Sequence, residues 1–308
     1  MTATAAIGDI DRIAEVVPPA LSQSSLAPEL VRNSANSRVM IERVAQISAG
    51  RQAEARACAA ALVARVNSEQ AGLVSVLMFE ETFGTRDRLH LLFHLESLAA
   101  YYDLLQADLA PSAAAAGAFG GRRWNELFTE QGVHDTVLIP QFWGMYGTSA
   151  DGVLERQSAV YRSSGAVALP PARQQTALPD SQILHSANSG IVMHRSAQPI
   201  YNFRSEARTF AREVAESINK NLPGECTVFV YEEGFGSADR LHWLIHLRDL
   251  TTYMRLLELH VRDEEVRDIY FRDRIPAEKG GGTWARIFVE SSMHDVALTP
   301  SRAVLDTR

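Results

Sequence analysis

The chain has 308 residues, of which 46% are hydrophobic and 22% are charged. That length allows two domains and a core that needs neither a structural metal nor a disulfide. The net charge of −7 argues against a nucleic-acid-binding surface. The two cysteines, Cys58 and Cys226, are isolated and form no disulfide framework or metal motif, which predicts a reducing compartment.

The N-terminal segment is rich in Ala and Ser, but it does not resemble a signal peptide. Asp9, Asp11 and Arg12 interrupt any apolar stretch there. The sequence contains no run of 18 apolar residues, so it predicts no membrane span. We therefore expect a cytoplasmic protein that binds neither nucleic acid nor membrane.

The sequence repeats itself when it is shifted by 152 residues. The block EETFGTRDRLHLLFHL at 80–95 returns as EEGFGSADRLHWLIHL at 232–247. The second copy then carries eight extra residues within 262–278, after which Trp124 returns as Trp284. A long internal repeat of this kind predicts two homologous domains in one chain.

The ends of the repeat predict the domain boundaries. The Pro- and Ser-rich segment between the copies is typical of a linker or of a crossover that lies on the surface, and the segment before the first copy is typical of a loose arm. The prediction is an N-terminal arm at 1–29, a first domain at 30–146, a linker at 147–181 and a second domain at 182–308.

Each copy predicts the element order β-α-β-β-α-β. In the first copy SRVMIERVAQ predicts a strand, and the apolar positions from Ala59 to Val66 follow at helical spacing. LVSVLMFEE and LHLLFHL predict a pair of strands joined by a short loop. Ser97, or Asp249 in the second copy, is placed to cap the next helix, and HDTVLIP predicts the last strand.

This order, with a strand leading into HLESLAAYYDLL, resembles the dimeric α/β-barrel superfamily. That superfamily includes the antibiotic-biosynthesis monooxygenase, NIPSNAP-like and small polyketide-cyclase groups. The resemblance implies an α+β fold in which two tandem ferredoxin-like domains form the barrel within one chain. It carries no diagnostic catalytic motif, so it says more about fold than about function.

The run LHLLFHL has a second interpretation. On one long helix His90 and His94 would be i,i+4 neighbours about 6 Å apart, a spacing that suits a shared metal. On a strand they share a face but lie about 13 Å apart, at roughly 3.3 Å per residue. The short apolar run after a loop favours the strand.

If LHLLFHL is a strand of such a barrel, His90 and His94 face the interior, as do His242 and His246 in the second copy. The hairpin then places Glu81 beside His90 and Glu233 beside His242, and each pair is a candidate acid–base unit. An ordinary ion pair between Glu81 and Arg88 is the alternative. The candidate substrate contacts on the same face are His94, His246, Phe79 and Tyr231.

Three functions compete. The favoured one is an enzyme of natural-product biosynthesis, a cyclase or cofactor-independent oxygenase, that moves protons on a small-molecule substrate. The second is a protein of the same fold that binds a divalent metal or haem, and the third is a non-catalytic binding module. Whichever function holds, barrel proteins often pair further, so a homodimer is also an expectation. The candidate metal ligands are His90, His94, Glu81, His134, His242, His246, Glu233 and His294.

Overall fold

The computed structural model describes residues 17–110, 118–119, 121–142 and 169–304. Eight strands form one closed antiparallel barrel, in the order β1-β3-β2-β8-β5-β7-β6-β4. The strands are β1 (Val39–Ile47), β2 (Val74–Phe83), β3 (Arg88–Leu95), β4 (Phe128–Pro140), β5 (Ile191–Ala197), β6 (Cys226–Phe235), β7 (Leu241–Leu247) and β8 (His294–Pro300). This is an α+β fold with the barrel that the resemblance implies.

Helices cover the outside of the barrel. The α-helices within the described ranges are α1 (Gln52–Glu69), α2 (Ala100–Gln106), α3 (Trp124–Leu127), α4 (Arg204–Asn221), α5 (Leu250–Arg262) and α6 (Glu264–Phe271). The side chain of Asp249 accepts a hydrogen bond from the Thr252 amide and caps α5, as predicted. Asp263 caps α6 in the same way. Helix α6 lies within 262–278, the stretch in which the second copy carries its eight extra residues. None of the described helices is long and apolar enough to cross a membrane.

The barrel joins two four-stranded halves. In the first half the strand order is β4-β1-β3-β2, and in the second it is β8-β5-β7-β6. Strand β2 pairs with β8, and β4 pairs with β6. Because every neighbouring pair is antiparallel, β2 and β6 run in the same direction. The hairpin loops that follow them, 84–87 and 236–240, therefore lie at one end of the barrel, here called the hairpin end.

The run LHLLFHL forms strand β3, so its interpretation as a helix is wrong. Leu89, Leu91 and Phe93 belong to the core between the sheet and helix α1, as the alternation predicts. Leu92 faces the other way and packs inside the barrel with Leu77 and residues of the second half. His90 and His94 lie on that inner face.

The opposite end of the barrel, here called the plugged end, is filled by the segments that precede β1 and β5. Ala20 and Ala172 are fully buried in the barrel core. The side-chain amide of Gln23 donates to the Met78 carbonyl and accepts from the Met78 N–H. Gln175 makes the same two hydrogen bonds to Val230. Residues from 20 onward are therefore packed and do not form a loose arm, and 172–181 is packed against the barrel, while the domain boundaries stay a prediction. Residues 1–16 and 143–168 lie outside the described ranges.

Candidate active site

Six side chains inside the barrel lie in one row near the hairpin end, and the first five are joined by contacts of hydrogen-bond length. We call it the His/Glu chain, and its members in order are Glu81, His90, Glu42, His194, His242 and Glu233. His90 Nε2 lies 3.2 Å from Glu81 Oε1, and His90 Nδ1 lies 2.7 Å from Glu42 Oε1. The predicted pair of Glu81 and His90 is therefore brought together.

The second half continues the path. His194 Nδ1 lies 3.0 Å from Glu42 Oε2, and His194 Nε2 lies 2.8 Å from His242 Nδ1. His242 Nε2 lies 3.6 Å from Glu233 Oε2, too far for a hydrogen bond, and it is a buried nitrogen without a partner. Glu233 and His242, the second predicted pair, are thus adjacent but not hydrogen-bonded.

Glu42 and His194 are the two members that the sequence interpretation missed. They occupy equivalent positions on β1 and β5, at the centre of the path. The alternation along β1 contained a signal, because Met40, Glu42 and Val44 share one face and only the middle residue is charged. A lone carboxylate on an otherwise apolar inner face needs a partner, and the histidines supply it.

Burial and hydrogen bonding set the pKa values within the His/Glu chain. Burial by itself would raise the pKa of Glu42, but His194 and His90 hold it well below its usual range. Burial would likewise lower the pKa of His90, but the hydrogen bonds to Glu42 and Glu81 raise it to about 8. Burial and the charge of His194 lower the pKa of His242, although Glu233 opposes the change. At neutral pH His90 is therefore cationic and His242 is neutral.

The two hairpin loops cover the outer carboxylates. The amide of Thr85 donates to Glu81, and the amide of Ser237 donates to Glu233 at 2.7 Å. Gly84 has φ 138° and Gly236 has φ 123°, and a Cβ on either one would collide with the carboxylate beneath it. Glycine is required at both positions because the backbone passes directly over the acid.

His94 and His246 lie in a second polar cluster, at the plugged end. His94 Nε2 is 2.9 Å from Ser186 Oγ, and His246 Nε2 is 2.8 Å from Ser34 Oγ. Each serine hydroxyl also accepts from the other serine's amide. Burial lowers the pKa of both histidines to about 3, so they are neutral.

The remaining predicted substrate contacts, Phe79 and Tyr231, are fully buried in the barrel core. The hydroxyl of Tyr231 donates to the Ser34 carbonyl at 2.7 Å. With His94 and His246 they form the packed floor beneath the His/Glu chain. Their contact with a substrate stays a prediction.

The arrangement of the candidate donor side chains bears on metal and haem binding. Within the described ranges, no three His, Cys, Asp or Glu side chains are grouped so that they could hold a metal ion. His134 and His294 are exposed on β4 and β8. An eight-stranded barrel is just wide enough for its own side chains, and apolar residues pack this one. The barrel interior therefore does not fit a haem.

Comparison with solved structures supports the fold. A provisionally assigned monooxygenase from Fusobacterium nucleatum superposes with a TM-score of 0.50 and 7% identity, covering 88% of this chain and 93% of that one. A second provisionally assigned monooxygenase, from Lactobacillus acidophilus, gives 0.48 and 9%, covering 85% and 93%. Chlorite dismutase from Candidatus Nitrospira defluvii gives 0.47 and 13%, covering 88% and 95%. At 7% identity the first likeness shows a shared fold and leaves the reaction open.

Comparison with family models places the sequence more closely. The model described as "Family of unknown function (DUF6039)" matches residues 10–305, and the chain belongs to this family. No curated protein matches the chain.

Proposed function

We propose that this member of the DUF6039 family is an enzyme that removes a proton from a small organic substrate, with His242 as the base. The observation that carries the proposal is the unpartnered Nε2 of His242, a buried nitrogen at the end of a hydrogen-bonded path. A neutral imidazole with a free nitrogen in a nearly dry site is a competent general base.

The hydrogen-bond directions support this role. Glu42 is ionised and accepts from the Nδ1 atoms of both His90 and His194. One proton lies between His194 Nε2 and His242 Nδ1, and we assign it to His242. His242 is left with a bare lone pair on Nε2 that faces the Glu233 carboxylate across 3.6 Å. This lone pair is the acceptor for the acidic hydrogen of a substrate.

Two successive proton transfers lead from the substrate to His194. The substrate's X–H bond breaks, its proton goes to His242 Nε2, and its electron pair stays on the substrate as an enolate or phenolate. The Nδ1 proton of His242 moves to His194 Nε2, which makes His194 the imidazolium. That cation lies beside the Glu42 carboxylate, and the contact stabilises it.

His90 is the matching acid. It is cationic at neutral pH because Glu42 and Glu81 raise its pKa to about 8. Two histidines whose surroundings shift their pKa values in opposite directions are the pattern of an acid and a base in one site. We propose that His90 returns a proton to the substrate after His242 has removed one, and that exchange with solvent then takes the extra proton from His194 and restores the one that His90 lost.

The substrate class follows from this chemistry. Cyclisation of a polyketide-like chain and cofactor-independent oxygenation both begin with loss of a proton next to a carbonyl group. We therefore propose a carbonyl-containing aromatic or polyketide-like substrate of natural-product biosynthesis. The six side chains of the His/Glu chain are almost fully buried and the core beneath them is packed. We therefore propose that the substrate binds at the hairpin end and reaches His242 when the loops 84–87 and 236–240 move apart.

The same strand order in the two halves supports a further structural proposal, that the barrel consists of two fused ferredoxin-like domains at 30–146 and 182–308. Homodimer formation stays a prediction.

Deuterium uptake by anthrone tests the activity. This tricyclic ketone carries acidic CH₂ hydrogens, and exchange in D₂O is followed by proton NMR. We expect the protein to accelerate exchange and His242→Ala to reduce that acceleration by about 10² or more. His294→Ala, which removes an exposed histidine, is the matched control.

Nitrogen-15 NMR tests the base without any substrate. At pH 7 we expect His242 to carry its proton on Nδ1 alone and His90 to carry protons on both ring nitrogens. A proton on His242 Nε2 at pH 7, or anthrone exchange that does not change in His242→Ala, would contradict the assignment of His242 as the base.

A further inference from the structure

A cavity of about 220 Å³ lies on the outer face of the second half, between the sheet and helices α4, α5 and α6. Its walls are mostly apolar and aromatic, and they include Phe210, Trp243, Tyr253, Leu256, Tyr270 and Trp284. The His/Glu chain lies on the inner face of the same strands. The cavity is therefore a separate site from the candidate active site.

The second half differs from the first at the residues that build this cavity. Phe210 stands where the first half has Cys58, and Trp243 stands where it has Leu91. Tyr270 belongs to α6, in the region of the extra residues. In the first half, by contrast, Trp124 is buried and stacks on Phe128 with ring centroids 4.0 Å apart.

The lining carries no uncompensated charge. Arg195 is the charged residue among the side chains that form the cavity wall. Its guanidinium donates two hydrogen bonds of 2.7 Å to the carboxylate of Asp295. An anion or cation would lose its hydration in this cavity and find no free partner of opposite charge. The cavity therefore favours a neutral ligand.

One polar group of the wall is available to a ligand. His260 Nδ1 donates to the Leu256 carbonyl at 2.7 Å, so its Nε2 is the acceptor for the Tyr270 hydroxyl at 2.9 Å. Burial raises the pKa of Tyr270 to about 12, which keeps the hydroxyl protonated. Because that proton is directed at His260, the Tyr270 oxygen can only accept from a ligand.

The aromatic walls favour a planar ring. Phe210 and Trp284 are nearly parallel, at 6° with centroids 5.7 Å apart, and Tyr270 meets the Trp284 ring edge-on at 88°. A cavity of about 150 Å³ is known to hold benzene, so about 220 Å³ suits two fused rings. A haem macrocycle is far larger than this space.

We propose that the cavity binds a neutral bicyclic aromatic molecule that carries one hydrogen-bond donor, of which indole is the simplest representative. The rings pack among Phe210, Trp243 and Trp284, and the donor N–H bonds to the Tyr270 oxygen. This site is independent of proton transfer in the barrel.

Calorimetric titration of the full chain with indole and with indene tests the proposal. Indene has the same bicyclic shape but no N–H. We expect saturable indole binding with a Kd of about 1 mM or tighter, and an affinity about 3- to 10-fold above that for indene. Tyr270→Phe should bind the two molecules equally.

Leu256→Trp should abolish binding of both molecules, because the added indole ring fills the cavity. Met254→Trp places the same ring on the exposed face of the same helix and should bind as the unaltered chain does. Absence of saturable indole binding, or a preference for indole that survives in Tyr270→Phe, would overturn the proposal. Tyr270→Phe removes a single oxygen, so it decides the matter if Leu256→Trp misfolds.

Discussion

His194 Nε2 lies 2.8 Å from His242 Nδ1, and one proton joins these two imidazoles inside the second half of the barrel. In the first half the position of His194 is occupied by Glu42, which bonds to His90 instead. Glu42 and His194 then meet at 3.0 Å where the halves face each other. This single difference between the copies joins two Glu–His pairs into one path. It also accompanies opposite pKa shifts, upward for His90 and downward for His242.

Placing the same residue, Glu, at equivalent positions 42 and 194 should make the surroundings of His242 resemble those of His90. In His194→Glu, His242 gains a carboxylate partner equivalent to the one that His90 has, so we expect the pKa of His242 to rise towards that of His90. Two carboxylates would then meet at the centre, which raises the pKa of one of them and lowers stability. NMR titration of the histidine ring protons measures the first effect, with His90 in the same sample as the reference. An unchanged pKa of His242 would show that His194 does not control it.

Stability should fall as the pH rises above neutrality. The pKa of His90 is raised from its unfolded value near 6.5 to about 8, so its contribution is fully present below pH 6.5 and disappears as the pH passes through 8. A shift of this size corresponds to about 2 kcal/mol in the free energy of unfolding. Urea unfolding between pH 6 and 9 measures the loss, and His90→Gln should flatten the profile. A profile equally steep in His90→Gln would assign the effect to another group.

The serine pair at the plugged end should contribute strongly to stability. Ser34→Ala removes the partner of the buried Nε2 of His246 and an acceptor for the Ser186 amide, so we expect a loss of about 1–3 kcal/mol. Ser68→Ala, on the exposed face of α1, should change stability by less than about 0.5 kcal/mol. Because the two serines share one network, the double variant Ser34→Ala/Ser186→Ala should lose less than the sum of the single losses. Additive losses would mean that the serines act independently.

Equivalent ion pairs in the two halves should differ in strength. Arg208 and Glu232 form a fully buried pair at 2.8 Å, whereas Arg56 and Glu80, whose side chains are 25% and 27% exposed, form a pair at 2.6 Å. Arg208→Ala leaves a buried carboxylate with its main partner removed, so we expect a loss of about 3–5 kcal/mol. Arg56→Ala should lose about 1 kcal/mol or less. Urea unfolding of the two variants compares them directly, and equal losses would contradict the dependence on burial.

The sequence by itself determined the two copies, the strand character of LHLLFHL and the inward direction of His90 and His242. These follow from local rules, because side chains alternate along a strand and apolar residues face the core. The adjacency of Glu81 and His90 also followed, since a short hairpin places the two strands side by side. Each of these relationships lies within one supersecondary unit.

Only the tertiary structure decided which groups meet across the halves. Glu42 and His194 are 152 positions apart, and no local pattern predicts that two inner faces from different copies converge at 3.0 Å. The same holds for the packed segment that carries Gln23. Its position before the first copy predicts a loose arm, but its side-chain amide bonds to the backbone N–H and C=O of Met78. Barrel closure sets these contacts, because it brings together side chains from distant strands whose hydrogen-bond partners are absent from their own neighbourhood in the chain.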